Sequence, residues 1–249
     1  MSSQHNHKHC KFFHSLKDRR RKGALHSPEL CKYQETDECP FGDACRLAHN
    51  KVERLYHPEK YKAKFCTFFP QNLASCEYGG FCSFAHSQEE IKVSLIHKLP
   101  HDPDFYLYYF KTEWCPFTQE HNKAQCVYAH NWQDFRRKPH VFLYQDEMCL
   151  NWKSGTFISE YHEGCPHQQE CQFCHGWKER DYHPLNYKTR PCAEKKLCPK
   201  GLECPFFHSV RERRDVGRIN FFRPRVYHMP APASVCNNIN TQKELELFA

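Results

Sequence analysis

Apolar residues are thinly spread along this chain of 249 residues, and they rarely recur at the spacing of a helix or a strand. The longest aromatic and apolar stretch, Phe105 to Phe110, falls far short of the roughly 18 residues of a membrane span. Residues 91–99 (IKVSLIHKL) read as a short helix that Pro100 and Pro103 then break. Residues 104–115 (DFYLYYFKTEWC) read as an aromatic lead-in to the segment that follows. The tail after residue 214 shows no periodicity and is expected to be disordered or loosely pinned. Between these stretches the pattern predicts single helical turns and irregular loops. Something other than a conventional core must then organise the chain.

Composition says what that is. Mean hydropathy is -0.86 and 39% of residues are hydrophobic, many of them among the 17 cysteines and the tyrosines. Small polar units that bury little apolar surface need disulfides or metals as staples. A disulfide framework has no use for a histidine four residues after a cysteine, and this chain repeats that pairing throughout. The start, MSSQHNHKHCK, has no apolar core of secretory-signal length. The expected compartment is the reducing cytosol, with the nucleus also open, where thiols stay available for zinc. No membrane partner is expected.

The spacing is regular. Cys31, Cys39, Cys45 and His49 form C-x7-C-x5-C-x3-H, and Cys66, Cys76, Cys82 and His86 form C-x9-C-x5-C-x3-H. Cys149, Cys165, Cys171 and His175 repeat the set, as do Cys192, Cys198, Cys204 and His208. The spacers end alike, YHPEKYKAKFC at 56–66 and YHPLNYKTRPC at 182–192, so 149–208 is a second copy of 31–86. A different unit precedes each copy: Cys115, His121, Cys126 and His130 before the second, and His5, Cys10 and His14 before the first. The N-terminal unit, His5, Cys10 and His14, lacks the leading cysteine, for which His7 and His9 are poor substitutes. Three thiolates and an imidazole close a tetrahedral zinc site and leave no position for activating water. Five zinc ions are expected, with a sixth depending on the first unit.

The fold class is therefore a tandem array of small zinc-stabilised irregular modules in two triplets, with short helical turns and little regular secondary structure. Residues 1–89 form the first triplet, 90–103 a flexible linker, 104–210 the second triplet, and 211–249 a basic and then disordered tail. His57 and His183, in the repeated spacers, are expected to brace one finger against the next. His26, His97, His101, His140, His162 and His228 are read as surface or linker residues. Cys174 and Cys236 are surplus to the metal sets.

Readers of unpaired RNA stack bases on aromatic faces and hydrogen-bond their edges. An aromatic two residues after the third ligand recurs as Phe12, Phe84, Tyr128, Phe173 and Phe206. Packing over the metal is the competing role for each ring. Net charge is +7, from 36 basic and 29 acidic residues, which suits a polyanion. Basic runs KDRRRK at 17–22 and DFRRK at 134–138 share one register, so Arg19, Arg20, Arg21, Arg136 and Arg137 are candidates for phosphate contact. An enzyme with a small-molecule substrate is not expected, since no repeated carboxylate pair, nucleophile elbow or phosphate-cradling glycine loop occurs. The competing class is a protein-interaction or transcription-regulatory scaffold.

CEYGGFCSFAH at 76–86 resembles the CCCH fingers of tristetraprolin-type RNA-binding proteins. YKAKFC at 61–66 and YKTRPC at 187–192 resemble their basic–aromatic lead-in, which adds Tyr61, Lys62, Lys64, Tyr187, Lys188 and Arg190 to the RNA-binding candidates, together with Phe41 and Tyr78. One CHCH unit, an arginine run and two CCCH fingers in order are similar to plant arginine-rich tandem CCCH proteins. Two such triplets, with ECQFCH at 170–175, are most similar to the Unkempt family. That resemblance covers residues 5–208. It implies a cytoplasmic protein that binds U-rich and UAG-type elements in single-stranded mRNA and represses translation, with the translation or mRNA-decay machinery as partner. The chain departs from the pattern at Leu47, where an aromatic is usual, and at His167 and Lys200, which stand in the position of Tyr78.

Overall fold

A computed structural model of the chain describes residues 5–21, 26–36 and 38–218. Regular structure is sparse, as the pattern required. Two short strands, β1 (Ser27–Leu30) and β2 (Leu47–Ala48), pair in parallel. Five short helices follow: α1 (Lys51–Leu55), α2 (Pro103–Tyr108), α3 (Pro139–Phe142), α4 (Tyr161–Gly164) and α5 (Trp177–Asp181). The rest is single 3-10 turns and loops. Among the described residues no helix is long and apolar enough to cross a membrane. The predicted tail from 219 onward, with His228 and Cys236, lies outside the described residues.

The chain divides into two compact units. Among the described residues the first comprises those up to 93 together with 116–120; the second comprises 94–115 and 121–218. The stretch read as a free linker is packed: Ile91 is buried in the first unit and Ile96 in the second. The helix expected at 91–99 shrinks to one 3-10 turn at Ile96–Lys98.

In the first unit the two metal sets each pack two aromatic or aliphatic neighbours, Tyr33 and Leu47 at one, Phe69 and Phe84 at the other, and Phe65 is buried against Phe69. The second unit has a true core. Ile96, Phe105, Tyr106, Leu107, Tyr108, Phe110, Tyr128, Tyr182 and Tyr187 bury together. Helix α2 explains much of it. Asp102 caps its start by accepting from Phe105 N at 3.0 Å, Pro103 opens it, and Phe105, Tyr106, Leu107 and Tyr108 are all buried. Arg136 closes it, donating to the carbonyls of Tyr106, Leu107 and Phe110 that the helix end leaves open.

One local conformation recurs in four fingers. The third residue after the second cysteine takes a left-handed φ near +48°: Gly42, Gly79, Gly201 and, alone without a glycine, Gln168. A side chain there meets the following carbonyl, at a cost of roughly 1 kcal/mol. Gln168→Gly should therefore raise the stability of that finger by a few tenths to about 1 kcal/mol. Denaturant midpoints of the two zinc-loaded proteins would measure it; an unchanged or lower midpoint would show that the glutamine side chain offsets the strain.

Candidate metal centres

Each ligand set assembles as its spacing requires. In all five sets, Cys31/Cys39/Cys45/His49, Cys66/Cys76/Cys82/His86, Cys115/His121/Cys126/His130, Cys149/Cys165/Cys171/His175 and Cys192/Cys198/Cys204/His208, the ligand atoms lie within 4.8 Å of one another. Sulfurs stand 3.9 Å apart at Cys31–Cys39 and 3.7 and 3.6 Å apart at Cys149–Cys165 and Cys149–Cys171. Zinc–sulfur bonds of about 2.3 Å at tetrahedral angles put sulfurs about 3.8 Å apart, whereas a disulfide needs about 2.05 Å. The Nε2 atoms of His49, His86, His175 and His208 are buried with no hydrogen-bond partner. A buried ring nitrogen in that position is expensive unless it binds something. The donor sets fit zinc, which would supply a closed structural site at each.

The backbone builds every site the same way. The N–H of the first cysteine donates to the carbonyl of the residue before the ligand histidine: Cys31 to Ala48, Cys66 to Ala85, Cys115 to Ala129, Cys149 to Cys174 and Cys192 to Phe207, all at 2.8–3.0 Å. Cys174 thus occupies a packing position. Its buried thiol donates to the Gln145 carbonyl at 3.0 Å and takes no part in ligation.

A carboxylate four residues past each ligand histidine locks the site. It accepts the histidine backbone N–H in every finger: Asp18 from His14, Glu53 from His49, Glu90 from His86, Asp134 from His130, Glu179 from His175 and Glu212 from His208. A cation completes five of these latches: Arg21 on Glu53, Lys62 on Glu90, Lys111 on Asp134, Arg137 on Glu179 and Lys188 on Glu212. The signal was present as an acid at a fixed offset from each histidine, but it looks like surface charge until the fold brings the cation to it.

The latch changes the reading of the basic runs. Arg21 grips both Glu53 oxygens and donates to the carbonyls of Asp43, Cys45 and Leu47. Arg137 does the same to Glu179 and to the carbonyls of Gln169, Cys171 and Phe173. Arg136 and Arg137 are completely buried. Arg21, Arg136 and Arg137 therefore serve the fold and present no guanidinium to a phosphate. Each guanidinium fills a ring of backbone carbonyls, with 8% of the Arg21 side chain left exposed and Arg136 and Arg137 fully buried. Arg19 bridges Asp43 at the surface, and Arg20 is exposed. Arg214, in the basic stretch assigned to the tail, donates to the carbonyls of Pro184 and Tyr187.

The lead-in divides likewise. Lys62 and Lys188 are buried with their ammonium groups on the latch and on the carbonyls of Phe84 and Phe206. Tyr187 lies in the core of the second unit, so three of these six residues are structural. Tyr61 is half-buried, stacked on Tyr56, while Lys64 and Arg190 are exposed, the latter over the Phe206 ring at 5.3 Å. Among the recurring rings, Tyr128 is fully buried, with its hydroxyl 2.8 Å from His97 Nδ1, and belongs to the core. Phe84 and Phe206 are half-buried against their fingers. Phe12, Phe41, Tyr78 and Phe173 stand exposed, Phe41 at 69% and Tyr78 at 47%. One histidine changes standing: His26 is buried, and its carbonyl accepts from His57 Nε2, as the Tyr144 carbonyl accepts from His183 Nε2.

The fifth finger has a feature its sequence did not announce. Its long first interval folds over the metal set: Trp152 stacks on the His175 ring, 4.4 Å between centroids and 7° between planes, and Tyr161 Oη lies 2.7 Å from His175 Nδ1. With Nε2 given to the metal, Nδ1–H donates to the tyrosine and fixes the ring. Burial, with Arg137 nearby, pushes the His175 imidazole down to about 3, which keeps it in the neutral form that ligates. Gly164 sits beneath the indole, where any side chain would strike Trp152.

In the first finger, His5 Nε2 and His14 Nε2 are 2.9 Å apart with ring centroids at 5.0 Å. The ligand pair His121 and His130 shows 3.0 and 5.1 Å. The same geometry recurs without the leading cysteine. Of its two proposed stand-ins, His9 is held at the Glu77 carbonyl, while His7 stacks on His14 at 3.9 Å.

Comparison with known proteins agrees with this geometry. Residues 27–51 match the family model "Zinc finger C-x8-C-x5-C-x3-H type (and similar)", and residues 104–137 match "AtC3H23-like, CCCH zinc finger". A human protein whose name carries "E3 ubiquitin-protein ligase UNKL" is 27% identical over 93% of this chain and 42% of its own length. The RING finger protein unkempt of Drosophila melanogaster is 28% identical over 71% of the chain and 37% of its own length. Zinc finger CCCH domain-containing protein 2 of Arabidopsis thaliana is 29% identical over 53% of the chain and 32% of its own length. The chain thus spans about two fifths or less of these relatives. Ligand spacing, site geometry and relatives agree: this is an array of CCCH zinc fingers whose homologues over most of the chain are the unkempt proteins.

Proposed function

We propose that the chain binds single-stranded RNA, selecting U-rich or UAG-type elements in mRNA, and acts in the cytoplasm to regulate translation or message stability. One observation carries this reading: Phe41 and Tyr78 are held exposed at the same offset, two residues past the second cysteine of their fingers. A ring that packs over a metal set, as Phe84 does, is half-buried against it. Zinc fixes the backbone on both sides, so the ring is presented at little entropic cost when a base stacks on it. Lys64 remains exposed for phosphate, and Arg190, paired with Asp181 at 3.3 Å, is exposed beside the Phe206 ring. The ligase and RING names of the relatives belong to proteins much longer than this span. We infer that the span supplies their RNA recognition and not a transfer step.

Tyr78→Ala should weaken binding to a single-stranded RNA carrying UAG within a uridine run by about 1–3 kcal/mol, with zinc content unchanged. Tyr128→Ala should instead cost about 3–5 kcal/mol of stability, as for any large ring removed from a core. Fluorescence anisotropy at fixed salt, alongside metal analysis, separates the two. Equal affinity for duplex and single strand, or an unaffected Tyr78 variant, would favour a protein-binding role for the exposed rings.

A further inference from the structure

The two triplets differ at one pair of positions in a reciprocal way. Two residues past the histidine of its middle finger, the first triplet has Lys51; two residues past the second cysteine of its last finger, it has Tyr78. At the same two positions the second triplet has Trp177 and Lys200. Ring and amine have exchanged places. Lys51 and Trp177 open equivalent helices, α1 and α5, so the backbone presents the two side chains in the same local setting.

In the second unit the exchanged pair is together. Lys200 Nζ lies 5.4 Å from the centre of the Trp177 ring, and Lys178 Nζ lies 4.4 Å from it. The indole is 44% exposed, which leaves a large aromatic surface in water beside two cations. Trp152, by contrast, is buried on a ligand histidine, and Trp132 donates its indole N–H to the Ser159 carbonyl. Trp177 has no comparable task in the fold.

We infer that Trp177 is the base-stacking platform of the second triplet, replacing the ring missing at position 200, and that Lys200 contacts the phosphate of the stacked nucleotide. The ligand class is an unpaired nucleotide of single-stranded RNA, so the inference rests on the RNA-binding reading above. An indole offers a larger face than a phenol, and stacking is tolerant of base identity. The second triplet then needs no aromatic in its last finger. Lysine at 200 keeps beside the ring a positive charge that a backbone phosphate would meet.

The test uses the full, zinc-loaded chain and a single-stranded RNA with UAG triplets in a uridine run. Trp177→Ala should weaken binding about tenfold or more while zinc content holds, and Trp177→Phe should recover most of the loss. Lys200→Ala should reduce the salt slope by about one. The exchange variant, Trp177→Lys with Lys200→Tyr, rebuilds the arrangement of the first triplet and should bind more tightly than Trp177→Ala. Wild-type affinity in Trp177→Ala, with Tyr78→Ala still weakened, overturns the inference and leaves RNA binding intact. If Trp177→Ala loses zinc, the exchange variant decides: full zinc with no gain over Trp177→Lys alone overturns the inference. No binding of this RNA by the wild-type chain removes the RNA reading and the inference together.

Discussion

Chelation of zinc should unfold the array and abolish RNA binding together. Among the described residues of the first unit the apolar clusters centre on the ligand sets, each of three cysteines and two flanking side chains. Once the metal leaves, a cluster of thiols and a buried imidazole nitrogen without a partner remain, and nothing offsets the entropy of ordering the surrounding loops. Structural zinc contributes on the order of 10–16 kcal/mol per finger at neutral pH, more than a domain's usual net stability of about 5–15 kcal/mol. Circular dichroism and proton spectra recorded during stepwise chelation, with released zinc counted, would check it. The second unit should lose its fingers but retain some aromatic clustering from the core around α2. Ligand substitution should act locally, so Cys76→Ser should release one ion and unfold the finger carrying Tyr78. A folded apo chain that still binds RNA would overturn the metal's structural role.

Arg137→Ala should be among the most destabilising single substitutions outside the ligands. The guanidinium and Glu179 are both completely buried, their closest contact is 2.6 Å, and the arginine also satisfies three carbonyls of the fifth finger. Removing the guanidinium leaves a buried carboxylate with only two backbone donors, the N–H groups of His175 and residue 137. Such losses cost about 3–5 kcal/mol. Arg137→Lys should rescue little, because a point charge cannot reproduce five donors in a plane. Arg20→Ala, at an exposed position, should change stability by no more than about 0.5 kcal/mol. Urea midpoints and zinc retention would compare the variants. A phosphate-binding Arg137 would behave oppositely, leaving zinc and stability untouched while lowering the salt dependence of RNA binding.

The sequence by itself determined the ligands, their grouping and the duplication, because metal chemistry is written in residue type and spacing. Zinc accepts few donors, and a cysteine and a histidine at C-x3-H can hardly serve anything else once repeated at that interval. The same holds for the scarcity of helix and strand, since no apolar periodicity existed to support them. What only the tertiary structure decided is which charged and aromatic residues face inward. Arg21, Arg136 and Arg137 look like a solvated basic patch, yet each is drawn inside by carbonyls that lie distant in sequence and leave polar gaps only a planar cation can fill. Tyr128 and Phe173 share one offset from their ligands, yet the first is buried because the segment from Ile96 to Phe110 packs over it, and the second has no such cover. The ligand spacing sets where a side chain starts; what packs against it from elsewhere in the chain sets whether it meets water. That is also why Trp177, at no ligand-set aromatic offset, became visible as a candidate only with Lys200 beside it.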